Sequence, residues 1–338
     1  MQIQFIANES VSAARHLIES AQRIVTISHM SPDGDAVGSS LAARHLLRAL
    51  GKQVTTVLPN HFPAFFGWMN GASDILIYEN DNKAVQTAIV EADLVILLDL
   101  NSLKRINGVK PLVEQSKAPK LLIDHHLDPE QFTDVIVSYP EISSTSELLY
   151  ALIVQMGWGD RIDKACAEAI YVGMMTDTGN FSYTSQQPEI YAIISELLKI
   201  GIDKDDIYRR VYTNYSEKRM RLMGYCLLNK MKIYPKQHTA VISLTKEELE
   251  RFDFHVGDTE GFVNIPLSID GINRSVFVRE EEKKVKLSFR SQGAVPVNTI
   301  AAQHFGGGGH LNAAGGESYL SIAQTLTKLE FIILNLQD

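Results

Sequence analysis

Residues 23–36 read RIVTISHMSPDGDA, and the fold turns on how this stretch is parsed. Ile24, Val25 and Ile27 form a short apolar run rich in β-branched residues, which predicts a buried strand over 23–28. The residues that follow are mostly polar, and Pro32 and Gly34 stop the strand. They set His29, Asp33 and Asp35 directly beyond its carboxyl end. From Ala36 the pattern becomes helical, with Leu46, Leu47 and Leu50 on the apolar side and Gly51 as the stop. A strand, a loop rich in ligand atoms and a helix make the opening of an α/β unit.

Working outward, the same alternation recurs. Gln53–Leu58, Leu94–Leu98, 120–123 and 134–137 read as strands separated by helical segments, which indicates a parallel sheet with helices on both faces. From Ser143 to about Leu228 the pattern is almost wholly helical. Ser143 or Ser144 caps a helix carrying Leu148, Leu149 and Leu152; Pro188 and Gly201 bracket one carrying Ile190, Ile194 and Leu197; 216–230 leads out. Beyond it, 238–243, 262–269, 274–279 and 284–290 alternate like strands, and a helix closes the chain over 321–334. The expected architecture is α/β: a parallel-sheet domain at 1–190, a helical connector at 191–230, and a smaller α/β domain with a mixed sheet at 231–338.

Composition narrows the function classes. At 338 residues the chain exceeds the usual single core. Its 45% hydrophobic and 21% charged residues are those of a globular protein. A net charge of -8 argues against a protein that grips long nucleic acid, and leaves open a short anionic substrate in a local pocket. No apolar run approaches the roughly 20 residues that span a bilayer. The start at Met1 to Ile6 lacks the features of a secretory signal, so a cytoplasmic address without membrane association is expected. Cys166 and Cys226 have no partner at zinc-ligand spacing and are read as buried reduced thiols.

Four loops carry the chemistry. Besides His29, Asp33 and Asp35, Asp99 ends the strand Leu94–Leu98 within Leu-Leu-Asp-Leu-Asn. Asp124, His125 and His126 follow the strand over 120–123, and Asp177 lies in Met-Thr-Asp-Thr-Gly-Asn, read as a short turn. Ligands of open α/β sheets bind at the carboxyl ends of the strands, so three of these groups share an edge by independent local reasoning. A single Asp after a strand is usually a turn or cap residue; the constellation is far more specific than any member. Mixed imidazole and carboxylate donors suit Mn²⁺, Zn²⁺ or Fe²⁺, and the oxygen-rich balance favours Mn²⁺ or Mg²⁺ over a thiolate metal.

In order, His29-x-x-x-Asp33-x-Asp35, Asp99, Asp124-His125-His126 and Asp177 resemble the four motifs of the Asp-His-His phosphoesterase family. The segment from His304 through Gly306, Gly307, Gly308 and Gly309 to His310, with Ala313-Ala314-Gly315 after it, is similar to that family's associated substrate domain. The likeness covers nearly the whole chain. It is nearest to stand-alone bacterial members that act as short-RNA nucleases and as phosphatases of 3'-phosphoadenosine 5'-phosphate.

The resemblance implies two divalent cations, Mn²⁺ first and Mg²⁺ as the alternative. One would be held by His29, Asp33 and Asp99, the other by Asp35, Asp99, His125 and Asp177. His126 would face the substrate phosphate, with Asp124 orienting a neighbouring histidine. The two ions would activate a water and neutralise phosphoryl charge.

Gly306 to Gly309 and His310 read as a cradle for a phosphate or base, and Arg290 as a phosphate clamp. Arg274 and Arg279 are equally well explained as a solvated strand edge; Arg105, six residues beyond Asp99, is within reach of the site, but a surface position is the favoured reading. Glu280 to Lys284 reads as a turn. Phe62, Phe65, Phe66 and Trp68 read as core packing.

The expected substrates are short RNA oligonucleotides or a small phosphorylated nucleotide, cut in a cleft between the domains. The alternatives are a linear-dinucleotide phosphodiesterase, an inorganic pyrophosphatase or exopolyphosphatase, and a catalytically silent nucleotide-binding regulator. A cyclic-dinucleotide membrane enzyme and a processive DNA exonuclease are disfavoured. Homodimerisation through the helical middle is left open.

Overall fold

The first strand forms where the apolar run places it: β1 (Arg23–Ile27) is followed by α2 (Gly34–Ala49), after an N-terminal α1 (Asn8–Ser20). The structure, a computed structural model, describes residues 6–336, so the start at Met1 to Phe5 lies outside the described residues. The chain divides into two compact units, Met1–Asn214 and Tyr215–Asp338.

In the first unit β2 (Gln53–Leu58), β3 (Leu76–Ile77), β4 (Leu94–Leu98), β5 (Lys120–Asp124) and β6 (Val135–Ser138) join β1 in a six-stranded sheet, order β3-β2-β1-β4-β5-β6. Every pairing is parallel. The chain winds one way from β1 to β3 and the other way from β4 to β6. The switch point therefore lies between β1 and β4, where such sheets open a crevice at their carboxyl ends.

One face packs on α2, α5 (Thr145–Gln155), α6 (Lys164–Asp177), α7 (Pro188–Ile200) and α8 (Lys204–Tyr212), through Ile24, Ile96, Leu121 and Ile123. The other carries α3 (Tyr78–Glu91) and α4 (Lys110–Gln115), through Val25, Val95, Leu97 and Leu122. Leu97 and Leu98, adjacent on β4, fall in different clusters, as a strand buried on both sides requires. Phe66 is buried, and Phe62, Phe65 and Trp68 pack against the core as read. The Cys166 and Cys226 thiols are buried, and burial pushes both up to about 12, which keeps them protonated and inert.

Two glycines let α2 and α6 approach closely. A Cβ at Gly38 would stand 2.6 Å from the Ala169 carbonyl oxygen and 2.9 Å from the Gly173 nitrogen, while one at Gly173 would overlap the Ser146 hydroxyl. This contact brings Asp35, near the start of α2, toward Asp177, the last residue of α6. Gly38→Ala is expected to destabilise the protein by about 2–3 kcal/mol, because overlap with rigid backbone outweighs the gain of under ~1 kcal/mol in helix propensity. Chemical denaturation of the metal-free protein checks this; an unchanged midpoint would refute the close-contact account.

The second unit holds a mixed sheet. β7 (Met231–Tyr234), β8 (Thr239–Leu244), β9 (Arg274–Glu280), β10 (Val285–Ser291), β11 (Gly308–His310) and β12 (Ala313–Ser318) run in the order β11-β12-β10-β9-β8-β7. Only β8 and β9 pair in parallel. Around the sheet lie α9 (Glu217–Tyr225), α10 (Lys246–Arg251), α11 (Asn298–Phe305) and α12 (Ile322–Leu334).

One expectation is overturned here: 262–269 is not a strand. Phe262–Ser268 forms 3-10 turns, because Pro266 has no N–H for a ladder and Gly261 at φ 79° turns the chain into a helical path. Its Phe262 and Val263 still reach the core, which is why the apolar pattern imitated a strand. The turn at Glu280 to Lys284 is present, closed by a 2.8 Å bond from the Glu281 N–H to the Lys284 carbonyl.

Candidate metal centre

Three of the four ligand loops leave the sheet beside its switch point. Asp33 is the N-cap of α2, its Oδ1 accepting from the Asp35 and Ala36 N–H groups at 3.1 and 3.0 Å. This caps the helix and aims Asp35 inward, where it is 1% exposed. Asp99 follows β4 with φ +61°, a left-handed conformation that Asp tolerates better than most residues. His125 and His126 follow β5. Asp177 is not in a turn: the small and apolar residues of α6 extend the helix through it, and Gly179 at φ +54° follows its cap.

Ligand atoms of His29, Asp33 and Asp99 lie within 4.8 Å of one another, as do those of Asp35, His125 and Asp177, and those of Asp99, Asp124 and His126. Asp99 stands in the middle. Its Oδ2 is 3.2 Å from His29 Nε2, and its Oδ1 is 3.6 Å from both His125 Nε2 and His126 Nδ1. His125 Nε2 is also 3.4 Å from Asp177 Oδ2 and 3.9 Å from Asp35 Oδ2.

The donor chemistry fits cations. His29 Nδ1 bonds the Met30 carbonyl at 2.9 Å and His125 Nδ1 the Ile142 carbonyl at 3.1 Å. A neutral imidazole has then spent its one proton on a backbone oxygen, and its Nε2 lone pair faces carboxylate oxygens. His29 Nε2 is buried without a hydrogen bond of good geometry. Such lone pairs, brought together in a buried place, call for a positive ion.

Electrostatics agree. Burial, then Asp99 and Asp177 nearby, push the Asp35 carboxyl well above its ordinary value. Burial also pushes Asp99 up, but the imidazoles of His29, at 3.2 Å, and of His126 and His125 around it hold it well below. His125 is raised: burial lowers it, and Asp99, Asp35 and Asp124 outweigh that. His126 is lowered, by burial first and then by Arg105, against the pull of Asp124.

Two contributors were missed in the sequence. Arg105, read as a surface residue, sends Nη1 to within 2.7 Å of His126 Nε2, while His126 Nδ1 sits 2.8 Å from Asp124 Oδ1. The 3-10 segment Leu103–Val109 carries Arg105 there, and the Arg105 carbonyl accepts from the Met30 N–H at 2.7 Å. The other is the start of α5. Thr145 and Ser146 donate backbone N–H bonds to the Asp35 carboxylate at 2.6 and 2.9 Å, and the Thr145 hydroxyl donates to Asp99 Oδ1 at 3.0 Å. The helix start thus holds two carboxylates in place. Four consecutive hydroxyl residues, Ser143 to Ser146, were the available signal.

Comparison with known proteins places the chain in a family. The N-terminal domain of the DHH family matches residues 23–174, and the DHHA1 domain matches residues 238–331. A bifunctional oligoribonuclease and PAP phosphatase NrnA from Thermus thermophilus is 30% identical over 295 residues, covering 86% of this chain and 83% of its own. This chain belongs to the DHH family of phosphoesterases. A protein of the same description from Bacillus subtilis is 25% identical, over 88% of this chain and 89% of its own. A crystal structure of an exopolyphosphatase-related protein from Bacteroides fragilis is 51% identical with a TM-score of 0.93, covering 98% of this chain and 97% of that one. As a DHH phosphoesterase the chain is a hydrolase. Among its described residues no helix is long and apolar enough to cross a membrane.

The remaining candidates lie in the second unit. Arg290 on β10 and His310 on β11 are both in register with Ala313 of β12, which puts them on one face of the sheet. Gly308 and Gly309 form part of β11 rather than a free loop. A Cβ at Gly307 would overlap the Gly315 carbonyl, and Gly309 has φ +140°. Arg274 bonds the Gln237 carbonyl, and Arg279 bonds Thr259 and Glu281.

Proposed function

We propose that this phosphoesterase hydrolyses short oligoribonucleotides to nucleoside 5'-monophosphates, and 3'-phosphoadenosine 5'-phosphate to AMP, in the cytoplasm and with two divalent cations, Mn²⁺ or Mg²⁺. The observation that carries this reading is the central position of Asp99 between two donor sets, His29 with Asp33 and Asp35 with His125 and Asp177. The relatives described as oligoribonuclease and PAP phosphatase, alike over most of both chains, support the substrate class.

The first cation would be held by His29, Asp33 and Asp99, and the second by Asp35, Asp99, His125 and Asp177. When bound, the pair polarises the phosphoryl oxygens and makes water nucleophilic at neutral pH. His126 contacts the phosphate being cut. Asp124 holds its Nδ1, so Nε2 faces away from that carboxylate, and Arg105 beside Nε2 adds a permanent positive charge for the phosphoryl oxygens. Thr145 keeps Asp99 oriented between the two donor sets. Arg290, Gly306, Gly307, Gly308, Gly309 and His310 bind the rest of the substrate.

A second reading is hydrolysis of polyphosphate or pyrophosphate, favoured by the description of the Bacteroides fragilis protein. Product analysis with Mn²⁺ separates the two. The panel is RNA of two to five nucleotides, a longer RNA, 3'-phosphoadenosine 5'-phosphate, pyrophosphate and polyphosphate. Mononucleotides from the short RNAs, or AMP, are expected. Phosphate released from the inorganic substrates alone would replace the first reading by the second.

A further inference from the structure

The two imidazoles whose Nε2 atoms face carboxylates are held alike on their other side. His125 Nδ1 donates to the Ile142 carbonyl at 3.1 Å, and the N–H of that same peptide, on Ser143, donates to Glu147 Oε2 at 3.0 Å. His29 Nδ1 donates to the Met30 carbonyl at 2.9 Å, and the N–H of that peptide, on Ser31, donates to Asn60 Oδ1 at 2.7 Å. In each case one planar peptide joins the ring to a side-chain oxygen. The two chains of bonds end differently. Behind His125 stands the carboxyl group of a residue only 4% exposed; behind His29 stands a neutral amide, in a bond open to solvent.

Capping does not account for Glu147. The first N–H groups of α5 are satisfied without its side chain: Thr145 and Ser146 donate to Asp35, and the Glu147 N–H donates to the Ser144 hydroxyl. The Glu147 side chain instead turns back past the cap, where the Ser143 N–H and the Ser143 hydroxyl, the latter at 2.5 Å, both reach Oε2. Burial pushes this carboxyl above its ordinary value, and the two Ser143 bonds and His125 pull against that. A carboxylate is costly to bury, so its place calls for a use. An anion at a peptide N–H polarises that peptide and makes its carbonyl oxygen a stronger acceptor. The His125 Nδ1–H is then held harder, and Nε2 becomes a better donor to a cation. A neutral amide in an exposed bond, as behind His29, does this more weakly.

We propose that Glu147 is a positioning residue for His125, acting through the peptide between Ile142 and Ser143, and that it makes the donor set of Asp35, His125 and Asp177 the tighter of the two. Asn60 holds the same place behind His29 and leaves the set with Asp33 the weaker. The inference rests on the two donor sets proposed above and deepens them: the sets differ in affinity, so they fill in order.

The test is calorimetric titration of Mn²⁺ into the metal-free full chain, with each donor set isolated in turn. Asp33→Asn, which can still cap α2, disables the His29 set and leaves the His125 set to titrate; Asp177→Asn does the reverse. Glu147→Gln keeps the size of the side chain and an oxygen for the Ser143 N–H, and removes the charge. In the Asp33→Asn background it is expected to weaken Mn²⁺ binding about tenfold, the low end of the cost of removing a partner behind a ligating histidine. In the Asp177→Asn background it is expected to change the affinity by less than about twofold. Equal weakening in both backgrounds, weakening of the His29 set alone, or none in either overturns the inference while the metal reading stands. No binding of Mn²⁺ by wild type overturns the metal reading and the inference with it. Thermal melting of the metal-free variants shows whether each is folded. Should Glu147→Gln not fold, Asn60→Asp decides, because it sets a carboxylate behind His29 in an exposed bond. In the Asp177→Asn background it is expected to tighten Mn²⁺ binding about threefold, and an unchanged affinity overturns the inference.

Discussion

Asp99→Asn is expected to lower kcat/KM for short RNA by roughly 10⁴-fold at saturating Mn²⁺, a loss of about 5.4 kcal/mol of transition-state stabilisation. The carboxylate is 2% exposed and stands between His29, His125 and His126, with the Thr145 hydroxyl on Oδ1. Among the described residues no other acidic group has this position, so one neutralised oxygen weakens both donor sets together. Asn is the informative substitution. Position 99 has φ +61°, which Asn tolerates, whereas Ala would add strain of about 1 kcal/mol and confuse folding with chemistry. An amide there also donates toward His29 Nε2, so the metal-free variant should melt no lower than wild type. Steady-state kinetics and a metal titration read the result. Activity within tenfold of wild type would sink the assignment of Asp99 as the shared ligand.

How far the sequence could be read depended on whether a residue's place follows from its neighbours in the chain. Asp33, Asp99 and Asp124 each end or follow a buried strand, and the apolar run before each marks that end. The edge they share then follows from the parallel sheet. Arg105 comes six residues after Asp99 in a 3-10 segment with no periodic signal; only the contact with Met30 sets it beside His126. Thr145 was passed over beside the cap residues Ser143 and Ser144, because its partners are Asp35 and Asp99, far away in sequence. The segment 262–269 failed differently: its apolar residues do face a core, but Pro266 and Gly261 set the backbone path. Burial was legible there and conformation was not.

Removing the cations should cost stability as well as activity. Asp35, Asp99, Asp177 and the three histidines crowd one buried place, so the fold without metal carries uncompensated charge. With Mn²⁺ at about 1,000 times its dissociation constant, one site contributes about 4 kcal/mol, enough to raise the melting temperature by roughly 10 °C in a unit of this size. The gain should depend on pH. Asp35, raised above its ordinary 3.8, contributes stability to the metal-free fold that is full below 3.8 and lost as pH rises through its folded value. Asp99, held below 3.8, contributes above that value and loses its share as pH falls through its folded value. On the acid side a proton on Asp35 or His125 competes with the cation for the same atoms, and both hold their protons to higher pH than usual. The difference in melting temperature between Mn²⁺ and EDTA should therefore widen from about pH 5 to about pH 8, and it should largely vanish in Asp99→Asn. A gain of equal size at both pH values would mean that Mn²⁺ stabilises the protein at some place other than this cluster.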